Sequence, residues 1–175
     1  PSFFEAVARR RIRPSASVLA AQAAGLPLRG LDELRAGLAL SWDITGHALV
    51  ARAPELDLPP VAPEQAGARL AALARRHDLV FFECFLTDLA GHGRLGPTGP
   101  AEALARVDGL VGGLLDAMPP GASLLLTSDH GNLEDSSSTV HSEAPVPLLV
   151  AGPAAPAFAQ VARIDQVADA VLAAL

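Results

Sequence analysis

The sequence has no lysine, no tyrosine, a single cysteine (Cys84) and no apolar run long enough to cross a membrane. One cysteine cannot form a disulfide within the chain, which is typical of proteins from a reducing compartment. All 13 basic residues are arginine and are outnumbered by 19 acidic residues, and this balance argues against a general nucleic-acid-binding protein. A membrane span needs about 18 consecutive apolar residues, and residues 1–4 do not resemble a signal peptide. We therefore expect a cytoplasmic protein without a membrane partner.

Half of the 175 residues are apolar, which is enough for a substantial core. Because domains average about 150 residues, we expect residues 1–175 to form a single domain. The chain opens at Pro1, without an initiator methionine, directly into helix-like sequence. We interpret it as a carboxyl-terminal fragment that lacks its amino-terminal portion. Residues 1–62 are predicted to be helical and loop-rich, and residues 63–175 are predicted to form the core.

The spacing of apolar residues and the positions of glycine and proline predict several helices. The predicted helices are Ser2–Arg13, Ser15–Ala24, Leu31–Ala36, Pro63–His77, Pro100–Met118 and Ile164–Leu175. Ser2 is a candidate N-cap of the first helix. The same helix carries a basic cluster, which we interpret as a solvated face and which consists of Arg9, Arg10, Arg11 and Arg13. Short strands are predicted at Leu38–Trp42 and Ala48–Ala51.

Three apolar runs predict buried strands, at Asp78–Leu86, Ser123–Thr127 and Val146–Ala151. Continuous apolar runs of this length are typical of strands that are covered on both faces in a parallel sheet. The strands alternate with helices, which favours right-handed βαβ units. The sequence therefore predicts an α/β fold with an open, mainly parallel sheet and helices on both faces.

Metal-binding residue types follow these predicted strands. Asp88 and His92 follow the first strand, Asp129 and His130 follow the second, and His141 lies in the loop that leads into the third. Ligands of open α/β sheets bind beyond the carboxyl ends of the strands, and imidazole with carboxylate suits Zn²⁺ or Mn²⁺. Asp88 and His92 are four residues apart, so one helical turn brings both onto one face.

A simpler interpretation competes with this one. An Asp-His pair at the end of a strand can be a helix cap with a satisfied histidine, and Gly91, Gly93 and Gly131 can be ordinary turn residues. Three such segments at one sheet edge favour the metal-binding interpretation, in which these glycines also permit close backbone approach to a ligand.

The residues Thr127–Asp135, followed by His141 and Pro145-Val146-Pro147, resemble the metal-binding signature of cofactor-independent phosphoglycerate mutases. These enzymes belong to the alkaline phosphatase superfamily. The stretch Thr87–His92 resembles the upstream Asp-x-x-x-His element of the same family. The resemblance covers roughly Val80 to Pro153 and implies an alkaline phosphatase-like core that is incomplete at the amino end.

The resemblance implies two divalent ions, Mn²⁺ or Zn²⁺, and in-line transfer of a phosphoryl group of a small phosphorylated substrate. Asp88, His92 and His141 would hold one ion, and Asp129 and His130 would help to hold the other. The family completes the second ion with an aspartate and a serine or threonine nucleophile, neither of which is recognisable before Asp88. We expect the nucleophile upstream of this chain.

Other residues receive weaker roles. Ser41 and Thr45 are alternative nucleophiles, but loop hydroxyls in a glycine-containing turn are the favoured interpretation. Arg94 is a candidate phosphate contact because it follows His92 by two residues, and a guanidinium can bind phosphoryl oxygens in bidentate fashion. Glu134 and Asp135 are candidates for orienting the histidine ligands.

The preferred hypothesis is the metal-binding part of a phosphoryl-transfer enzyme, either a mutase or a phosphatase. One alternative is a degenerate, non-catalytic metal-binding domain. A second alternative is a hydrolase of sulfate or phosphonate esters, because one fold supports several chemistries.

Overall fold

A computed structural model describes residues 14–96 and 99–175 of the chain. The helix predicted at Ser2–Arg13, with its N-cap and its arginine cluster, lies outside the described residues. Among the residues described, no helix has the length and apolar character needed to cross a membrane.

Helices make up most of the described secondary structure. They are α1 (Ala16–Ala23), α2 (Leu31–Arg35), α3 (His47–Arg52), α4 (Pro63–Ala74), α5 (Leu86–Gly91), α6 (Gly99–Ala117) and α7 (Val167–Ala174). Short 3-10 helices lie at Pro54–Leu56, Ala155–Phe158 and Ile164–Gln166. Gly25 and Gly37 follow α1 and α2 with φ of 66° and 71°, a left-handed conformation that glycine adopts without strain. Within the described residues, the predicted helices are confirmed to within a few residues.

The strands predicted at Leu38–Trp42 and Ala48–Ala51 are wrong, since the first is not a strand and the second lies within α3. Ala48–Ala51 is helical because of contacts made by Asp43, whose side chain is buried. Its two carboxylate oxygens accept hydrogen bonds from the backbone N–H groups of Gly46 (3.0 Å) and Ala48 (2.7 Å). These bonds satisfy donors at the first turn of α3, so the chain begins a helix there.

The core lies where α4 and α6 pack together. Its buried side chains include Ala66 and Leu70 of α4 and Ala103 and Leu110 of α6. The two backbones approach closely because glycine occupies the contact, and a Cβ atom at Gly113 would lie 2.1 Å from the carbonyl oxygen of Glu64. Helix α5 packs against α6 and contributes Leu86 and Ala90 to the same core. This contact places α5, which contains Asp88 and is followed by His92, against the core.

The sheet of the described residues has two strands, β1 (Leu124–Thr127) and β2 (Leu148–Ala151). They pair antiparallel, with Leu124 opposite Ala151 and Thr127 opposite Leu148. This pairing differs from the predicted parallel arrangement. A parallel pair needs a crossover that is usually helical, whereas residues 128–147 contain no helix and simply reverse the chain. The outcome is a mixed helix and strand fold in which the sheet is small.

The strand predicted at Asp78–Leu86 is also wrong. The segment from 79 to 85 is irregular, and α5 begins at Leu86. Val80, Phe82 and Cys84 pack against the core, whereas Leu79 and Phe81 are 56% and 62% exposed. The burial therefore alternates, and it does not cover both faces as predicted. Within the described residues no strand pairs with this segment, so its backbone does not enter the sheet.

Candidate metal centre

Asp88 and His92 lie one turn apart at helix α5, as their spacing predicts. Asp88 is in the first turn of α5, and His92 directly follows its last residue. The Nε2 atom of His92 is 3.3 Å from Oδ1 of Asp88. Both side chains are partly buried, with 22% and 30% of their surface exposed. The helix thus presents one carboxylate and one imidazole from the same face.

His141 reaches this pair from the loop between β1 and β2. Its Nε2 atom is 3.2 Å from Oδ1 of Asp88 and 3.2 Å from Nε2 of His92. The donor atoms of Asp88, His92 and His141 all lie within 4.8 Å of one another. One carboxylate and two imidazoles at this spacing suit a divalent transition metal ion.

The contact of the Nδ1 atom of His92 determines which ring nitrogen carries the proton. The Nδ1 atom lies 2.6 Å from the backbone carbonyl oxygen of Thr139, which can only accept a hydrogen bond. Nδ1 must therefore carry the proton, and in the neutral ring the lone pair is on Nε2, the atom that faces Asp88 and His141. A neutral imidazole with a free Nε2 lone pair is the form that binds metal. Sequence reasoning could not find this contact, because it uses a main-chain carbonyl.

His130 also lies beside Asp88, at 3.7 Å from Nε2 to Oδ1. Its ring stacks on that of His141, with centroids 3.5 Å apart and an angle of 16° between the planes. The lone pairs of two nearly parallel rings run side by side and do not converge on one point.

Asp129 contributes the least buried carboxylate of the group. Its Oδ1 atom is 3.6 Å from Nε2 of His130, and its side chain is 81% exposed. The structure therefore brings Asp129 beside His130, but the three-donor group in the described part of the chain does not include either residue. Next to them lies an open pocket of about 350 Å³, whose lining combines apolar residues such as Val146, Val161 and Val167 with the charged residues Glu143 and Arg163.

The loop that carries His141 is closed at its base. The backbone N–H of Ser142 donates to the carbonyl oxygen of Gly131 at 2.8 Å. Glu134 joins the two sides, because its carboxylate accepts hydrogen bonds from the backbone N–H of Asn132 (2.7 Å) and from the hydroxyl of Ser142. The Ser142 hydroxyl lowers the pKa of Glu134 below its ordinary value. Glu134 thus fixes the loop that presents His141.

Asp135 acts more locally. Its carboxylate accepts hydrogen bonds from the backbone N–H (2.9 Å) and the hydroxyl (2.6 Å) of Ser137, and the hydroxyl lowers the pKa of Asp135. Neither Glu134 nor Asp135 forms a described hydrogen bond to a histidine ring, although the sequence made both candidates for orienting the histidines. The carbonyl of Thr139 holds His92 instead. Arg94 is exposed, and its backbone N–H closes the turn after α5 on Leu89.

The alternative nucleophiles lie in the buried turn before α3. Ser41 and Thr45 are 8% and 4% exposed. The hydroxyl of Thr45 is 2.9 Å from Nδ1 of His47, a hydroxyl and imidazole pair. Ile44, which lies between Ser41 and Thr45, has a φ of 68° and is fully buried, so tight packing holds a strained backbone at this turn.

Comparison with known proteins adds a family. The profile of the Metalloenzyme superfamily matches residues 61–174, which is more than half of the chain. A phosphopentomutase of Anaeromyxobacter sp. (strain K) is 43% identical over 88 residues, which cover 49% of this chain and 23% of the relative. A 2,3-bisphosphoglycerate-independent phosphoglycerate mutase of Syntrophotalea carbinolica is 36% identical over 107 residues, covering 55% and 21%.

These matches confirm the resemblance to cofactor-independent phosphoglycerate mutases. The chain spans less than a quarter of the length of these curated relatives. No solved structure matches it. The profile match covers the helices α4 to α7 and all the residues of the metal-binding signature, and on this ground the chain belongs to the Metalloenzyme superfamily.

Proposed function

We propose that this chain is the metal-binding part of a phosphoryl-transfer enzyme, a phosphomutase or phosphatase that acts on a small phosphorylated substrate. The observation that carries the proposal is the convergence of Asp88, His92 and His141, with donor atoms within 4.8 Å of one another. Membership of a metalloenzyme family implies the use of a divalent metal, and the relatives named above are both mutases of phosphorylated compounds.

The metal-binding roles are part of the proposal. Asp88, His92 and His141 would hold one ion, and Asp129 with His130 would contribute to a second. Mn²⁺ and Zn²⁺ fit this mixture of carboxylate and imidazole. The near-parallel rings of His130 and His141 support two separate ions. When bound, such ions neutralise negative charge on phosphoryl oxygens and activate an attacking oxygen.

The remaining residues would bind the substrate. The pocket of about 350 Å³ beside Asp129 and His130 has the size for a small organic group. Arg94, exposed two residues after His92, would contact a phosphoryl oxygen.

The nucleophile is proposed to lie outside this sequence, because the hydroxyl-bearing residues Ser41 and Thr45 are buried. The same proposal includes a single domain over residues 1–175, with a core from 63 to 175 that is completed by further sequence. For that complete core we propose an open, mainly parallel sheet with helices on both faces.

Metal binding tests the proposal directly. We expect protein purified without chelator to retain Mn²⁺ or Zn²⁺, and His92→Ala and His141→Ala to lose it, because each removes one of three donors. His77→Ala is the matched control, since His77 is exposed and its Nε2 contacts Arg29 at 2.8 Å, away from the donor group. Equal metal content in all four proteins would overturn the proposal.

Activity tests the position of the nucleophile. We expect little hydrolysis of p-nitrophenyl phosphate by the 175-residue chain, with or without added Mn²⁺ or Zn²⁺. Strong turnover that Thr45→Val abolishes would show that the nucleophile lies in the turn before α3. Metal binding without turnover in the complete protein would favour the non-catalytic alternative.

A further inference from the structure

The only asparagine of the chain, Asn132, is buried beside the metal-binding residues. Its Nδ2 atom is 3.5 Å from Oδ1 of Asp88 and 3.5 Å from the backbone oxygen of the same residue. Its Oδ1 atom is buried without a hydrogen-bond partner. An unpartnered buried amide oxygen is costly and is uncommon in native proteins, so the position of this side chain calls for a functional reason.

Glycine at position 91 allows the amide to lie there. A Cβ atom at Gly91 would be 2.4 Å from both Cγ and Oδ1 of Asn132, closer than any real contact. Gly91 is not among the glycines with positive φ, so a left-handed turn does not require it. Glycine at position 91 is therefore explained by its contact with Asn132. The amide of Asn132 packs directly against the backbone at the end of α5.

The backbone of Asn132 is fixed from the opposite side. Its N–H donates to Glu134 at 2.7 Å, and the neighbouring Gly131 pairs with Ser142 in an isolated antiparallel bridge. The side chain is thus held between the β1–β2 loop and helix α5. It cannot turn toward solvent without opening one of these contacts.

The atom that Asn132 approaches is the centre of the donor group. Oδ1 of Asp88 lies 3.2 to 3.7 Å from the Nε2 atoms of His92, His130 and His141. An amide N–H directed at a carboxylate oxygen restricts rotation of the carboxylate. Groups that orient metal ligands in this way typically change metal affinity 10- to 100-fold.

We propose that Asn132 is a positioning residue, which holds the Asp88 carboxylate with Oδ1 toward the histidines and so increases the affinity for a divalent ion. The proposal rests on the proposed function, in which Asp88 is a metal ligand. It differs from a structural role, in which the amide only joins the loop to α5. The two roles make opposite predictions for the protein without metal.

The test uses Asn132→Leu, which keeps the branched shape and removes the amide, with Ser137→Ala as a control in the same loop. Mn²⁺ and Zn²⁺ dissociation constants are measured by competition with a chromophoric chelator, and urea unfolding is measured in EDTA. We expect metal binding to weaken about 10-fold or more. Stability in EDTA should stay the same or rise, since an unsatisfied buried oxygen is removed.

Co²⁺ provides a second readout, because its visible spectrum reports the geometry of the bound ligands. We expect Asn132→Leu to change this spectrum and Ser137→Ala to leave it unchanged. If Asn132→Leu does not fold, Asn132→Ser removes the amide with a smaller change in packing and is expected to give the same results.

The outcomes separate the two proposals. Metal affinity within threefold of the unmodified chain, or lower stability in EDTA with an unchanged Co²⁺ spectrum, would overturn the role of Asn132 alone. Absence of metal binding by the unmodified chain would overturn both this role and the proposed function.

Discussion

Gly113 lies at the closest approach of helices α4 and α6, and we expect Gly113→Ala to destabilise the fold. The Cβ atom that alanine adds would lie 2.1 Å from the carbonyl oxygen and 2.6 Å from the Cα atom of Glu64. Both neighbours are backbone atoms of α4, so no side chain can rotate to make room. The two helices must move apart, which loosens the core around Leu70 and Leu110.

The expected change in the free energy of unfolding of Gly113→Ala is the balance of two opposing effects. Alanine is favoured over glycine inside a helix by about 1 kcal/mol. Overpacking of a core costs about 1–3 kcal/mol, and a clash with backbone belongs at the upper end. We therefore expect a net loss of about 1–2 kcal/mol in the free energy of unfolding.

Gly112 supplies the matched control. It is the preceding residue of α6, and a Cβ atom there would meet nothing within 4 Å. Gly112→Ala should gain stability by about 0.5–1 kcal/mol, because only the helix preference acts. Urea unfolding at equilibrium, with EDTA present, measures both variants. If Gly113→Ala is as stable as Gly112→Ala, this account of the α4–α6 contact is wrong.

Two further predictions concern titratable groups. Burial raises the pKa of the Cys84 thiol, so alkylation by iodoacetamide at pH 8 should be slower in the native protein than in urea. The Ser142 hydroxyl lowers the pKa of Glu134 from its ordinary value of 4.5, so the contribution of this carboxylate to stability is present above that pH and is lost as the pH falls through the lowered pKa. Glu134→Gln should therefore be less stable than the unmodified chain at pH 7, and urea unfolding should show the difference shrinking below pH 4.5.

Local signals predicted much of the helical structure and the donor group. The proline at the start of α4 and the glycines after α1 and α2 mark helix boundaries through backbone preferences, which do not depend on the rest of the fold. The spacing of Asp88 and His92 is likewise a property of one helical turn. His141 was expected beside them at the edge of a parallel sheet; the described residues bring it there through the loop between two antiparallel strands instead.

Features that depend on distant contacts were not predictable in this way. The run Leu79–Phe82 has the composition of a buried strand, but strand formation needs a pairing partner. Helix α3 begins where the buried carboxylate of Asp43 accepts two backbone hydrogen bonds, a contact that the pattern of apolar residues does not reveal. The packing of Asn132 on Gly91 joins residues 41 positions apart, and only the folded chain brings them together.

The contact between His92 and Thr139 has a consequence for how the loop can evolve. Because His92 is held by a main-chain oxygen, the side chain at position 139 is free to vary without losing that contact. Deletion of a single residue from Ser136–Ser138 would move the oxygen away from the ring. Position 139 should therefore tolerate substitution, whereas the number of residues between Asp135 and His141 should be constant, so that the length of this segment is under stronger selection than the side chain at 139.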